Sequence, residues 1–163
     1  MDLVSLAAYT PNAIIDLRYA TDRNIAGEPL TSIVTPMLHR PAAEALLQVE
    51  QQLAANKLRL VIWDAYRTSE VQATLRRMQS DDKYVLEDSN HQKGLAIDVS
   101  LADMQGELLD MATDHDDFSD KAHSESTAVS PLQAANRKQL AEAMVAHGFQ
   151  QWPYEWWHFD FIG

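Results

Sequence analysis

The stretch from Ser89 to Asp98 constrains the fold of this chain more than any other. Residues 95–101 are rich in apolar and β-branched side chains, which predicts a short β-strand. Gly94 permits a sharp turn or a close backbone approach just before it, so His91 can fold back towards Asp98. One nitrogen and one oxygen ligand at a strand edge form half of a zinc site. The alternative is a surface histidine in a loop, followed by a capping aspartate.

Composition limits the ligands and partners that such a site can have. The chain has 163 residues, of which 46% are hydrophobic, so we expect one domain, residues 1–163, with a core of ordinary size. The formal net charge of -11 repels phosphate groups, so we expect neither nucleic-acid nor membrane binding. Because the chain has no cysteine, any zinc ion must be held by histidine and carboxylate side chains.

The first residues of the chain argue against export. Asp2 stands where a signal peptide carries a basic residue, and the apolar run up to Tyr9 is too short to cross a membrane. We therefore expect a cytoplasmic protein, unless a signal segment has already been removed.

Hydrophobic periodicity predicts three helices and several strands. The helices are expected at residues 41–56, 69–78 and 131–147, the last with a capping pattern at its start and Gly148 at its end. The strands are expected at residues 14–20, 58–63, 95–101 and 154–161. We expect the acidic segment 103–130 to form loops and one short helix, with its clustered aspartates on the solvated surface.

The carboxyl-terminal segment supplies the remaining groups of the predicted site. His158 is the candidate third ligand, which leaves the fourth position of a catalytic zinc to water. Glu155 is the candidate base that takes a proton from that water and delivers it to the leaving amine. Because residues three apart point to opposite faces of a strand, the backbone must turn or bulge between them, or the strand must start after Glu155. The alternative is a structural strand whose aromatics, including Trp156 and Trp157, fill the core.

Arg67 follows the strongest predicted strand, at a turn of the kind where functional residues are often placed. Its guanidinium could stabilise the oxyanion that forms when water attacks a peptide carbonyl. The alternative is a salt bridge with one of the 24 acidic residues. The residues by themselves leave this choice open.

Four motifs follow one another along nearly the whole chain. They are Tyr19-Ala20-Thr21 with Asn24 and Gly27, Trp63-Asp64-Ala65-Tyr66-Arg67, Ser89-x-His91-x-x-Gly94-x-Ala96-x-Asp98, and Glu155-Trp156-Trp157-His158. Together they resemble the D-alanyl-D-alanine dipeptidases, zinc enzymes related to D,D-carboxypeptidases and to the hedgehog-type zinc fold. The chain departs from the family pattern at Thr68, where proline is usual, and at Ile25, where an aromatic residue is usual. Neither departure falls on a predicted zinc ligand, so both concern the fit of the substrate.

The resemblance implies an α+β fold with a central antiparallel sheet and helices packed against it. It also implies one zinc ion per chain, held by His91, Asp98 and His158. In this family pattern Glu155 matches the catalytic base, and Arg67 matches the arginine that stabilises the tetrahedral intermediate.

The resemblance further implies that Ser89 and Asp116, or Asp117 in place of Asp116, hold the free amino group of the substrate. Burying an ammonium without a partner is costly, so such a clamp favours free dipeptides. We therefore expect hydrolysis of D-Ala-D-Ala or of close D,D-dipeptides. The rivals are a peptidoglycan D,D-carboxypeptidase or endopeptidase, a non-catalytic zinc-stabilised binding module, and an acidic interaction protein without metal. The sequence does not indicate the oligomeric state.

Overall fold

The computed structural model describes residues 1–163, which form seven strands and three α-helices. The strands are β1 (Leu3–Ser5), β2 (Ile14–Ile15), β3 (Met37–His39), β4 (Leu58–Asp64), β5 (Ala96–Asp103), β6 (Phe149–Gln151) and β7 (His158–Phe161). The helices are α1 (Arg40–Ala55), α2 (Ser69–Met78) and α3 (Pro131–Ala146). Short 3-10 turns lie at Leu6–Ala8, Arg18–Ala20, Asn90–Lys93 and Asp120–Ala122.

A five-stranded sheet in the order β2-β4-β5-β7-β6 forms the centre of the fold. All neighbouring strands in it are antiparallel except β2 and β4, which are parallel. A separate antiparallel pair joins β1 to β3. The predicted α+β class, with a mainly antiparallel sheet and packed helices, is therefore confirmed.

The three predicted helices are present within one residue of their expected ends. Helix α1 packs against β4 and α3, and its stripe of Leu46, Val49 and Leu53 is fully buried. At the start of α3 the Ser130 hydroxyl accepts a hydrogen bond from the backbone N–H of Gln133, as the capping pattern predicts. None of the helices combines the length and apolar character needed to span a bilayer.

The early strand is shorter than predicted. The strand expected at residues 14–20 is limited to β2, because a 3-10 turn over Arg18–Ala20 takes the chain away from the sheet. This turn buries Arg18 and Tyr19. The acidic segment 103–130 contains the one short helical turn that was expected, at Asp120–Ala122.

The register of three strands places polar side chains in one row across the sheet. Asp98 on β5 pairs with His158 on β7 and with Asp64 on β4. A β-bulge just before Asp64 shifts the register, so that Asp64 rather than Trp63 lies opposite Asp98. Side chains of directly opposed residues lie close together on one face of a sheet. The row therefore brings together groups that are far apart in the sequence.

Gly94 joins the Asn90–Lys93 turn to β5 and has a φ of 65°, in the left-handed region that favours glycine. A Cβ added there would lie 2.5 Å from Cδ2 of Leu3 and 2.9 Å from the backbone nitrogen of His39. That nitrogen donates a hydrogen bond to the Gly94 carbonyl oxygen over 2.8 Å. Gly94 thus provides both the turn and the close approach that the sequence predicts.

Candidate metal centre

Three side-chain atoms converge at the end of this polar row: Nε2 of His91, Oδ1 of Asp98 and Nδ1 of His158. The two nitrogens are 3.2 Å apart, and they lie 3.3 and 3.0 Å from the carboxylate oxygen. Ligand atoms bound at about 2.0–2.1 Å to a tetrahedral ion lie roughly 3.3 Å from one another. His91 and Asp98 are 1% and 2% exposed, so the surface-loop alternative is wrong.

The hydrogen bonds of the two imidazoles direct their lone pairs at each other. Nδ1 of His91 donates to the Ala65 carbonyl oxygen over 2.7 Å, and Nε2 of His158 donates to Oδ1 of Asp160 over 3.2 Å. With a single proton on each ring, both imidazoles would present an unprotonated nitrogen to the same point, where Asp98 adds a negative oxygen. Such an arrangement is repulsive unless a positive charge lies between the three atoms. The residues present therefore fit a divalent metal ion.

The same electrostatics appear in the pKa values of the metal-free site. Burial lowers the pKa of His158, but Asp160 and Asp98 outweigh this and raise it to about 10. Burial raises the pKa of Asp98, but His91, His115 and His158 hold it well below its ordinary range. A proton on Nδ1 of His158 thus occupies the position that suits a cation, and a metal must displace it.

Glu155 lies beside these atoms because the last strand starts later than predicted. The strand expected from residue 154 begins at His158, and residues 153–157 form turns. Oε2 of Glu155 is 3.9 Å from Nδ1 of His158. Burial raises the pKa of Glu155 to about 8, although the charge of His158 opposes the shift. The same turns bury Trp156 and Trp157 completely, which confirms their predicted role in core packing.

Arg67 borders the cavity next to the metal centre and is held there by a salt bridge. Its Nε and Nη2 donate to Oδ2 of Asp64 over 2.9 and 2.6 Å, and Nη1 donates to Oε1 of Gln72 over 2.7 Å. The guanidinium also lies over the ring of Tyr19 at 5.0 Å from its centroid. Arg67 therefore does form the salt bridge that the alternative expected, and its partner is Asp64. These bonds orient the guanidinium, and its two remaining N–H groups form no hydrogen bond within the protein.

Asp116 and Ser89 border the same cavity from two different loops. Asp116 has a φ of 58°, and its carboxylate, 9% exposed, accepts a hydrogen bond from the Tyr19 hydroxyl over 2.8 Å. The expectation of a solvated surface is wrong for this residue. Burial raises the pKa of Asp116, and a bound cation would reverse that shift. Ser89 Oγ accepts from the backbone N–H of His91, whereas Asp117 bonds within its own loop and does not line the cavity.

Three further residues of the site carried no predicted role: Asp64, His115 and Asp160. Asp160 follows His158 by two residues, so the alternation of a strand already puts both on one face. Asp64 precedes the arginine by three residues within the same motif, which is a weaker signal. Nothing in the sequence singles out His115, because only the folded chain brings it beside Asp98.

Comparison with known proteins gives the family. A sequence model of the Peptidase_M15 family, described as D-ala-D-ala dipeptidase, matches residues 1–163. The chain belongs to this family.

Relatives of this D-Ala-D-Ala dipeptidase family member are themselves named D-alanyl-D-alanine dipeptidases. The D-alanyl-D-alanine dipeptidase of Escherichia coli is 36% identical over 98% of this chain and 84% of its own length. That of Enterococcus faecalis is 30% identical over 90% of this chain and 85% of its own length. The chain is therefore a metallopeptidase.

Solved structures share the fold of this dipeptidase family member. A mutant of the vancomycin resistance D,D-pentapeptidase VanY in complex with Zn(II) matches with a TM-score of 0.53 and 15% identity, covering 82% of this chain and 76% of that one. The LD-carboxypeptidase LdcB matches with a TM-score of 0.54 and 18% identity, covering 99% of this chain and 68% of that one. Both likenesses support the observed α+β architecture.

Proposed function

We propose that this protein hydrolyses the free dipeptide D-Ala-D-Ala, or a close D,D-dipeptide, with the help of one zinc ion. The observation that carries the proposal is the convergence of His91, Asp98 and His158 at tetrahedral spacing beside a buried glutamate and a buried arginine. The membership of the D-Ala-D-Ala dipeptidase family supports the substrate. The Zn(II) complex of VanY, a protein of similar fold, supports the choice of metal.

Zinc held by these three side chains would lower the pKa of a bound water to roughly 7 and polarise the scissile carbonyl. Glu155 acts as the general base that accepts a proton from the attacking water and then gives it to the leaving amine. The pKa of about 8 caused by burial leaves its carboxyl largely neutral in the metal-free site. A cation nearby lowers that pKa towards neutral pH, where a general base is most effective.

Arg67 stabilises the oxyanion that develops on the scissile carbonyl. Its charge is buried, and the salt bridge to Asp64 fixes the plane of the guanidinium before the substrate arrives. Such preorganised donors act strongly in a site from which water is excluded. A structural zinc site would need neither this arginine nor Glu155, which argues against a non-catalytic binding module.

Asp116 and Ser89 hold the free amino group of the substrate. Asp116 is a buried carboxylate whose nearest cationic group, Nε2 of His115, is 3.7 Å away, so it has room for an ammonium partner. The hydroxyl of Ser89 accepts one backbone N–H and keeps capacity for a substrate group. A clamp for the amino group in the same cavity as the metal centre selects free dipeptides over longer chains.

The experiment that tests this proposal is a panel of free and blocked dipeptides assayed with zinc-loaded and chelator-treated protein. We expect hydrolysis of D-Ala-D-Ala only by the loaded protein, with little hydrolysis of L,L-dipeptides. Release of the terminal D-alanine from an N-blocked or longer peptide, at rates equal to those of the free dipeptide, would favour the carboxypeptidase rival. The cytoplasmic location and the single domain of residues 1–163 stay predictions.

A further inference from the structure

His115 occupies a buried position behind the metal centre, and the reaction proposed above gives it no part. Its side chain is 0% exposed. The rings of Tyr19, Trp63 and Trp157 surround it, with centroid distances of 5.4, 5.4 and 5.7 Å. A box of three aromatic rings suits an apolar ring equally well. Packing therefore does not explain why the position holds a histidine.

The one hydrogen bond of the His115 side chain is directed at a candidate metal ligand. Its Nε2 donates to Oδ2 of Asp98 over 2.8 Å, while Oδ1 of the same carboxylate faces His91 and His158. Nδ1 of His115 is buried and has no protein group within hydrogen-bond reach. Because an ionised carboxylate can only accept, the hydrogen lies on Nε2 whether the ring is neutral or charged.

We propose that His115 is a positioning residue that fixes Asp98 as a one-oxygen metal ligand. A carboxylate that rotates freely can coordinate a metal ion through both oxygens and so fill the position that substrate and water need. The hydrogen bond from His115 holds Oδ2 away from the other two ligands, and the positive charge of Arg67, 3.8 Å from the same oxygen, also attracts it. Donors of this kind, one step removed from the metal, typically change metal affinity 10- to 100-fold. The inference rests on the proposed zinc site.

Two substitutions separate the hydrogen bond from the shape of the side chain. His115→Phe keeps a ring in the aromatic box and removes the donor. His115→Gln places an amide N–H close to the position of Nε2 and so restores the donor. Zinc affinity is measured by competition with a chromophoric chelator, and the coordination of the metal is followed by the visible absorption of the Co(II)-substituted protein.

We expect His115→Phe to weaken zinc binding by about tenfold or more and to change the Co(II) spectrum towards a higher coordination number. The substitution removes a buried unpaired nitrogen and also a donor to the buried carboxylate of Asp98, so the melting temperature of each metal-free form is measured beside its zinc affinity. His115→Gln should restore most of the affinity and the original spectrum.

The proposal is overturned if His115→Phe binds zinc as tightly as the unaltered protein and gives the same Co(II) spectrum. It is also overturned if both variants lose affinity only in step with a lowered melting temperature of the metal-free forms, since His115 would then act through packing. Should His115→Phe fail to fold, His115→Asn, whose shorter amide does not reach Oδ2, replaces it in the same assays. Unaltered protein that binds no zinc would instead refute the proposed function.

Discussion

The buried ion pair of Asp64 and Arg67 makes a quantitative prediction. Both side chains are nearly inaccessible, at 9% and 8% exposure, and their closest atoms are 2.6 Å apart. Asp64→Ala leaves the guanidinium buried without its main partner, which typically costs 3–5 kcal/mol. Oδ2 of Asp98, 3.8 Å from Nη2, retains part of the attraction, so we expect about 3 kcal/mol, the lower end of that range.

The chain offers a matched control in a second arginine–aspartate pair. Arg40 and Asp2 are 2.7 Å apart, but their side chains are 48% and 58% exposed. Exposed pairs contribute roughly 0.2–1 kcal/mol. For a domain of this size 1 kcal/mol shifts the melting temperature by about 2–4 °C. Asp64→Ala should therefore lower the melting temperature of the zinc-loaded protein by roughly 6–12 °C, and Asp2→Ala by no more than about 4 °C.

Thermal unfolding followed by circular dichroism, with zinc content checked in each sample, measures both shifts. Replacing both members of the buried pair, as in Asp64→Leu with Arg67→Met, should recover stability relative to Asp64→Ala, because no buried charge is then left alone. Equal shifts for Asp64→Ala and Asp2→Ala would refute the reasoning from burial. So would a double variant that is less stable than Asp64→Ala.

Four further outcomes are expected. Glu155→Ala should keep zinc but lose at least about a hundredfold in kcat, measured by release of D-alanine; unchanged turnover would remove Glu155 as base. N-acetylated D-Ala-D-Ala should be a poor substrate of the unaltered protein, because it has no ammonium for Asp116, and equal rates would contradict the clamp. Zinc binding at pH 7 should release roughly one to two protons, because His158 and Glu155 have raised pKa values and hold protons in the metal-free site. Calorimetry in buffers of different ionisation enthalpy measures the number of protons released. Binding heats that do not depend on the buffer would contradict the prediction. Gly94→Ala should lower both the melting temperature and the zinc affinity, because the new Cβ would lie 2.9 Å from the backbone nitrogen of His39. Gly27 also has a positive φ, but no atom lies within 4 Å of a Cβ added there. Gly27→Ala is therefore the control and should affect neither zinc affinity nor packing.

The predicted site residues differ in how far local sequence determines them. His91 and Asp98 lie seven residues apart, and the glycine between them limits the backbone to a turn followed by a strand. The third ligand, His158, joins them only through the pairing of β5 with β7, which the sequence does not specify. It was named as a candidate from the three protein ligands that a catalytic zinc keeps and from the absence of cysteine, and the family resemblance then implied the same residue. Glu155 could be named in the same way, and the sequence required a turn, a bulge or a late strand start beside it; only the structure shows that the chain turns before a strand that begins at His158.

His115 and Asp64 show where reasoning from the sequence ends. Each becomes part of the site through a contact between distant parts of the chain. His115 lies on a loop and reaches Asp98 through a hydrogen bond. Asp64 lies opposite Asp98 because a β-bulge shifts the register past Trp63. A shift of one residue in a strand reverses the faces of all its side chains, and no local pattern reports such a shift.

The sequence by itself determined the three helices, the main strands, the glycine turn and the types of ligand available, because these depend on neighbouring residues and on composition. Only the tertiary structure decided which acidic groups are buried, which oxygen of Asp98 faces the two imidazoles, and which partner holds Arg67. Those properties depend on the register between strands that are distant in the sequence and on the exclusion of water between them. Proton affinity and metal affinity follow from that burial, and so they are properties of the folded chain.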